Sequence, residues 1–320
     1  MLINVYVEYN RLRNTFTYSC EQDVEVGCRV RVEFNNRTLV GFVEEIEVES
    51  DFKNIKPVIE VIDEKPLLNN ELKLLANYMA DFYASSKVTC YKTMLPPALR
   101  PSSKHSKIIY EDYAVLKESN ETLTSRQKEV LEMFNYPCKM SELRKVSPSI
   151  TKVLLEKGYI GIEKRIKDSN THVTSISDVQ HELTIEQKDA ISKITSTEKM
   201  VSLLHGVTGS GKTEVFLRLA ENVLSCGKQV LFLVPEIGLT PMMIQRVQAR
   251  FKQKIAIYHS GLNAQEKLEQ YNLVKDHKVD IVVGTRSACF MPFSSLGLIL
   301  MDEEHDSSYK QDNTPRYHTR

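Results

Sequence analysis

An α/β fold is predicted for this chain, with a parallel sheet in its C-terminal part, and three observations predict it. From about residue 183 onward, short and nearly continuous apolar runs alternate with amphipathic helical stretches, the pattern of strands buried on both faces by helices. One glycine-rich turn lies between an apolar run and a helix: Gly206-Val207-Thr208-Gly209-Ser210-Gly211-Lys212-Thr213 fits G-x-x-x-x-G-K-[ST], the phosphate-binding P-loop pattern. Upstream the periodicity differs, first two-residue and then helical, so a small β-rich domain and a winged-helix domain precede the parallel sheet.

The 320 residues carry 42 Lys+Arg and 42 Asp+Glu, a formal net charge of zero, and 42% are apolar. This composition excludes wholesale disorder and collagen-like repeats. No apolar run is long enough for a membrane-spanning helix, and the first residues have no signal-peptide pattern. A neutral average leaves nucleic-acid binding open, because binding needs a local basic surface. Cys20, Cys28, Cys90, Cys138, Cys226 and Cys289 lack zinc-site spacing and read as reduced thiols in a cytoplasmic protein.

Residues 1–103 open with strands. Ile3, Val5 and Val7 alternate, as do Val30, Val32 and Phe34; Asn35-Asn36 reads as a hairpin turn before a returning strand from Leu39 to Val43. Leu68, Leu72, Leu75, Met79 and Phe82 then mark one face of a helix beginning near Leu67, and the prolines from Pro96 to Pro101 close the region. Residues 104–167 read as helices followed by a strand. Ser125 caps the first helix, Ser147-Pro148 starts another that Gly158 stops, and Tyr159, Ile160 and Ile162 alternate beyond it. This order suggests a winged helix able to enter a DNA groove; a spacer of the same fold is the alternative. Residues 168–182 read as a linker. In residues 183–320, strands are expected at Val201–His205, Val230–Val234, Ile255–Tyr258, Val279–Val283 and Leu298–Met301, with helices at Lys212–Ser225, from Thr240-Pro241 to about Phe251, and near Ala264–Val274.

In the P-loop the glycines let backbone N–H groups curl around phosphate oxygens, and the following helix adds its partial positive charge. Lys212 is expected to reach the β- and γ-phosphates, and Thr213 to hold Mg²⁺. The apolar run Leu298–Met301 ends in Asp302-Glu303-Glu304-His305. An acid at the end of such a strand is placed to organise Mg²⁺, the role assigned to Asp302; Glu303 is next in line to polarise the attacking water. The alternative is a solvated acidic turn. The guanine-reading N/T-K-x-D pattern does not occur. Gln187, ahead of the loop, has an amide that can match an adenine edge, which favours ATP; an exposed helix residue is the alternative. Beyond the acids, Tyr309, Tyr317 and His318 can stack on bases, and Lys310 and Arg316 can meet phosphates. A loosely ordered polar tail is the bland reading of that segment. Arg286 is expected either to line the DNA path or to serve as a structural arginine beside the sheet.

Asp302-Glu303-Glu304-His305 resembles the DEAH-type box of superfamily-2 helicases. Val234-Pro235-Glu236-Ile237-Gly238-Leu239-Thr240-Pro241, His259-Ser260-Gly261-Leu262, Val283-Gly284-Thr285-Arg286-Ser287-Ala288 and the run from Asp302 through Gln311 to His318 resemble blocks of the primosomal protein N-prime family, bacterial replication-restart helicases. Phe16, Tyr18, Val26-Gly27-Cys28-Arg29-Val30-Arg31-Val32 and Leu39-Val40-Gly41 extend the resemblance to the first region.

The resemblance implies a RecA-like first helicase lobe at residues 183–320. It implies a domain at 1–103 that takes the 3′ end of a nascent leading strand, with Phe16 in its pocket, although the family commonly has Asp where this chain has Thr17. It further implies ATP-driven 3′→5′ unwinding at stalled forks and primosome assembly. The implied partners are forked DNA, single-stranded DNA, primosome proteins and single-stranded DNA-binding protein, with no membrane. The chain reaches only Arg320, so a second lobe and the family's zinc-binding cysteines are expected beyond it. Residues 1–320 alone are expected to bind ATP and DNA, to hydrolyse weakly and not to unwind. Another superfamily-2 translocase and a non-enzymatic fork-binding module are the alternatives.

Overall fold

The computed structural model describes residues 1–9, 14–52, 54–100, 110–117, 119, 121–166, 182–207, 209–236, 239, 241–251 and 255–320. Met1–Lys104 together with His172–Arg320 form one compact unit, and His105–Thr171 form a second. The expected linker residues 168–181 lie outside the described residues.

Five antiparallel strands open the first unit: β1 (Leu2–Val7), β2 (Phe16–Ser19), β3 (Arg29–Phe34), β4 (Arg37–Ile46) and β5 (Val58–Val61), in spatial order β2-β1-β4-β3-β5. Alternation decides which face is buried: Ile3, Val5, Val7, Val30, Val32 and Val43 pack together with Tyr18 and Cys28. Asn35 and Asn36 both have positive φ, 48° and 55°, forming the two-residue turn between β3 and β4 with Phe34 paired to Arg37. Two helices follow, α1 (Asn70–Phe82) and α2 (Lys87–Met94). The first begins at Asn70 rather than near Leu67, because the Asn69 side chain accepts the Leu72 N–H and fixes the cap there.

The second unit has β6 (Tyr110–Leu116), α3 (Ser125–Glu132), β7 (Cys138–Lys139), α4 (Met140–Val146), α5 (Pro148–Glu156) and β8 (Ile160–Ile166), with sheet order β7-β6-β8. Thr124, not Ser125, caps α3, in a capping box with Gln127. Ser147 alone joins α4 to α5 and caps the latter, with Pro148 at its first position. Ala114, Met140, Leu143, Leu154 and Ile160 form this unit's own core.

The remainder of the first unit is α/β: α6 (Ile185–Ser196), α7 (Lys212–Ser225), β9 (Gln229–Leu233), α8 (Pro241–Phe251), β10 (Ile255–Tyr258), α9 (Ala264–Lys275), β11 (Ile281–Gly284) and β12 (Leu296–Met301). The strands are parallel, in order β10-β11-β9-β12. Side chains alternate between its faces. Val230, Phe232, Ile281, Val283 and Leu300 pack with Leu217 and Ala220 of α7 and Val247 of α8. Leu231, Leu233, Ala256, Tyr258 and Val282 pack on the opposite face with Tyr271 and Val274 of α9. Residues of the first hundred join that second cluster: Leu72, Ala76 and Met79 of α1, and Tyr91 and Met94 of α2. Asn69 Nδ2 donates to the Phe293 carbonyl (2.7 Å) and Tyr271 Oη to that of Leu67 (2.9 Å). The N-terminal helices are thus part of the apolar layer over one face of the parallel sheet.

One expected strand does not form. Val201–His205 joins no sheet, and Val201 and Leu203 are 84% and 76% exposed. Among the described residues this run pairs with no strand, and the parallel sheet is made of β10, β11, β9 and β12 alone. An apolar run without a pairing partner satisfies neither its side chains nor its backbone.

Candidate nucleotide site and the adjoining loop

The loop from Gly206 to Gly211 leads directly into α7. Gly209 and Gly211 hold φ of +81° and +82°, a region that side chains disfavour. At Gly211 an added Cβ would also lie 2.3 Å from Gln187 Nε2. No side chain caps the N-terminus of α7, so its first N–H groups and the positive end of its dipole face the loop. Lys212 Nζ donates to the carbonyls of Gly206 (2.8 Å) and Val207 (3.2 Å), which places the ammonium inside the curve of the loop. An uncapped helix end, two left-handed glycines and an inward ammonium together fit a nucleotide polyphosphate. Thr213 follows in the first turn; Val207 and Ser210 are exposed, and Thr208 lies outside the described residues.

Gln187 closes the loop from the other side. Its Oε1 accepts the Thr184 N–H (2.9 Å), completing a capping box at the start of α6, and its Nε2 donates to the Ser210 carbonyl (3.0 Å). The amide expected to read adenine is therefore engaged with the chain itself in this conformation, and it positions the loop.

Asp302 immediately follows β12, and its N–H donates to Leu233 O (2.9 Å), extending the ladder to β9. Burial pushes its carboxyl above the ordinary range, and the Glu303 charge adds to this; a hydrogen bond from the Glu303 N–H (3.1 Å) and the charge of Lys212 oppose it. The loop lysine and this acid thus share one electrostatic site, and an oxygen ligand beside an uncapped helix end fits a magnesium ion bound with phosphates. Glu303 has a left-handed backbone (φ 43°) and its carboxylate lies 3.7 Å from His305 Nε2.

The segment after the box is built inward. Tyr309 is fully buried and its hydroxyl donates to the Asp302 carbonyl (2.7 Å). Tyr317 is 3% exposed and meets Phe290 edge-on at 4.8 Å. The expectation that these two rings offer stacking faces is therefore corrected: both belong to the apolar layer beneath the sheet. Arg286 likewise serves the protein, since its Nη1 donates to the carbonyls of Lys310 (2.6 Å) and Ser308 (3.2 Å) and so holds the segment from below. Lys310 and Arg316 are exposed and His318 is half-buried. Lys310 Nζ donates to the Arg316 carbonyl, which draws these two cations onto one short turn.

Phe16 stands apart in the antiparallel sheet, its ring 4.6 Å from that of Phe34. The neighbouring Thr17 hydroxyl donates to Asn4 Oδ1 (2.9 Å). Sequence reasoning missed Glu214, a buried carboxylate in the first turn of α7. It takes Arg250 Nη2 (2.9 Å), Arg218 Nε (3.3 Å) and Arg246 Nη2 (3.4 Å). The available signal was the four-residue spacing of Arg246 and Arg250 on one helix and of Glu214 and Arg218 on another.

A P-loop at the head of a helix on a parallel sheet, with an acid at the end of strand β12, defines a P-loop nucleotide-binding lobe. Residues 184–319 match the DEAD/DEAH box helicase family, and residues 4–96 match a 3′DNA-binding domain, the PriA 3′BD. The chain is 31% identical to replication restart protein PriA of Bacillus subtilis, over 93% of this chain and 47% of that protein. It is 32% identical to the Haemophilus influenzae protein of the same name, over 97% and 45%. A 42% stretch is 52% identical to that of Treponema pallidum. The chain belongs to the PriA replication-restart family and corresponds to its N-terminal portion; it spans less than half the length of the first two relatives.

Proposed function

We propose that this chain is the ATP-binding, fork-recognising portion of a 3′→5′ DNA helicase that restarts replication at stalled forks. The observation that carries the reading is the conjunction, within one compact unit, of a 3′-end-binding domain match and a P-loop lobe whose lysine acts on Asp302.

Residues 206–213 hold the phosphates, Lys212 leaves the Gly206 and Val207 carbonyls for the β- and γ-phosphates, and Thr213 and Asp302 ligate magnesium. A magnesium ion held there would supply charge neutralisation at the phosphates. Glu303, exposed beside the buried Asp302, polarises the attacking water. Gln187 releases part of its internal bonding to read adenine. Lys310, Arg316 and His318 meet single-stranded DNA, and Tyr309 and Arg286 support them.

Phe16 lies in the 3′-end pocket of a domain at residues 1–103. Residues 104–167 are a winged helix that contacts duplex, a reading supported by the single-residue turn between α4 and α5 and the strand that follows. The lobe at 183–320 acts with a second lobe, and the family's zinc site belongs to that further part. Primosome proteins and single-stranded DNA-binding protein are the protein partners, in the cytoplasm.

The test is binding to fluorescent forks at fixed salt, because phosphate contacts alone move affinity by decades. The forks differ only in whether the leading-strand 3′ end is free at the junction, recessed or blocked by phosphate. Preference for the free end, lost in Phe16→Ala, supports the reading. Equal affinity for all forks removes the fork-restart assignment and leaves a generic ATP-dependent DNA-binding protein.

A further inference from the structure

Tyr83 caps the C-terminus of α1, in the N-terminal part of the chain. Its hydroxyl oxygen accepts the backbone N–H of His318 (3.0 Å), and its ring centroid lies 5.2 Å from Lys310 Nζ. Phe82 braces the ring edge-on at 4.9 Å. Besides the packing of Tyr317 on Phe290, three polar or cation–ring ties hold the segment from 307 to 319. Tyr309 ties it to Asp302, Arg286 holds the carbonyls of Ser308 and Lys310, and Tyr83 grips Lys310 and His318 from a domain some 230 residues upstream. The first two ties come from within the helicase lobe; the third comes from the part that matches the 3′DNA-binding domain.

We propose that Tyr83 is a positioning residue for single-stranded DNA. Its ring face, together with the Arg316 carbonyl, holds the Lys310 ammonium where it can meet a phosphate, and its hydroxyl fixes the backbone at His318. The inference rests on the reading of this segment as a DNA contact. Its physical basis is that a lysine on a four-carbon stem is mobile, and ordering it before binding removes an entropic cost. A cation over an aromatic face stays hydrated on its open side and keeps its charge, so it is oriented without being neutralised. Tyr83 does not touch DNA. It makes the shape of the contact segment depend on helix α1, and so on the domain that carries Phe16.

The experiment measures binding of an oligo-dT to this 320-residue chain by fluorescence anisotropy across a salt series. Wild type is compared with Tyr83→Leu and Tyr83→Phe, with circular dichroism confirming the fold. Tyr83→Leu is expected to weaken binding about fivefold, and its salt dependence becomes shallower by about the 0.7 that one single-strand phosphate contact contributes. Tyr83→Phe keeps the ring and therefore the salt slope, with a loss of about twofold or less. In a Lys310→Gln background the Leu substitution adds little, because the two residues act through one contact. Should Tyr83→Leu not fold, Tyr83→Met replaces it in the same cycle. Wild-type binding with Tyr83→Leu unchanged in affinity and slope overturns the proposal alone. Absence of oligo-dT binding by wild type overturns the DNA reading of the segment, and the proposal with it.

Discussion

The hydroxyl of Tyr309 and the carbonyl of Asp302 form a part-buried contact that joins the acid at the end of β12 to the segment beyond it. Tyr309→Phe removes only that oxygen. Loss of one such bond, with a carbonyl left underpaired, is expected to cost about 1 kcal/mol in urea unfolding, and the aromatic packing persists. Burial and the nearby acids Asp302 and Asp306 raise the phenol's pKa, so it stays a neutral donor across the working pH range. At Lys212 the chemistry is charge on phosphate. Lys212→Ala is expected to weaken binding of a fluorescent ATP analogue about a hundredfold, while the circular dichroism spectrum stays that of wild type. Gly211→Ala acts differently, because φ of +82° and the Gln187 amide at 2.3 Å both oppose a methyl group. Residues defined by local backbone chemistry are readable from sequence, Asn35-Asn36 and Ser147-Pro148 among them. Tyr309 and Tyr317 are not, because an aromatic near basic residues reads alike whether its ring faces a base or a core.

Helices α7 and α8 are joined by a carboxylate–guanidinium cluster in which Glu214 is 5% exposed and Arg250 8% exposed. Removing Glu214 takes from the buried Arg250 one of its carboxylate partners. Glu214→Ala is expected to cost no more than about 3 kcal/mol, because Glu221 still pairs with Arg250, whereas the double change Glu214→Leu with Arg250→Met costs less than either of its single changes. Urea unfolding of these four variants checks the ordering. Glu221 also accepts Arg250 Nε at 2.6 Å, so part of the cluster persists in each variant that keeps the arginine. Element legibility follows the same physics. Helices with one apolar face and a capping signal, such as α5, announce themselves in sequence. Helix α2 does not, because Val88, Cys90, Tyr91 and Met94 bury several sides of a short helix and leave no clear period. The Val201–His205 run shows the converse. Its composition suits a buried strand, but a strand is defined by its neighbour, and composition cannot supply one.

At the scale of the whole molecule, the first hundred residues and the parallel sheet share one apolar layer in which Leu72, Met79 and Tyr91 meet Leu231, Tyr258 and Tyr309. Separating the two sequence regions exposes that layer. In urea, probes placed on α1 and on α9 are expected to report one coincident transition for the first unit; two separated transitions would show that the layer contributes little. A fragment of 105–171 has its own core in Ala114, Leu143 and Leu154 and is expected to fold alone, as far-ultraviolet circular dichroism would show. Periodicity divides the first unit into two separate domains, since it reports what lies within a segment and not which distant segment covers it. Edge strand β12 carries one more consequence. Ile299 on it is 55% exposed, and Met200, Val201, Leu203 and Val207, in the unpaired run ahead of the P-loop, are exposed too. Strand edges with apolar side chains recruit copies of themselves. Stock solutions of this chain are therefore expected to self-associate with rising concentration, by light scattering, and Ile299→Lys is expected to keep them dispersed.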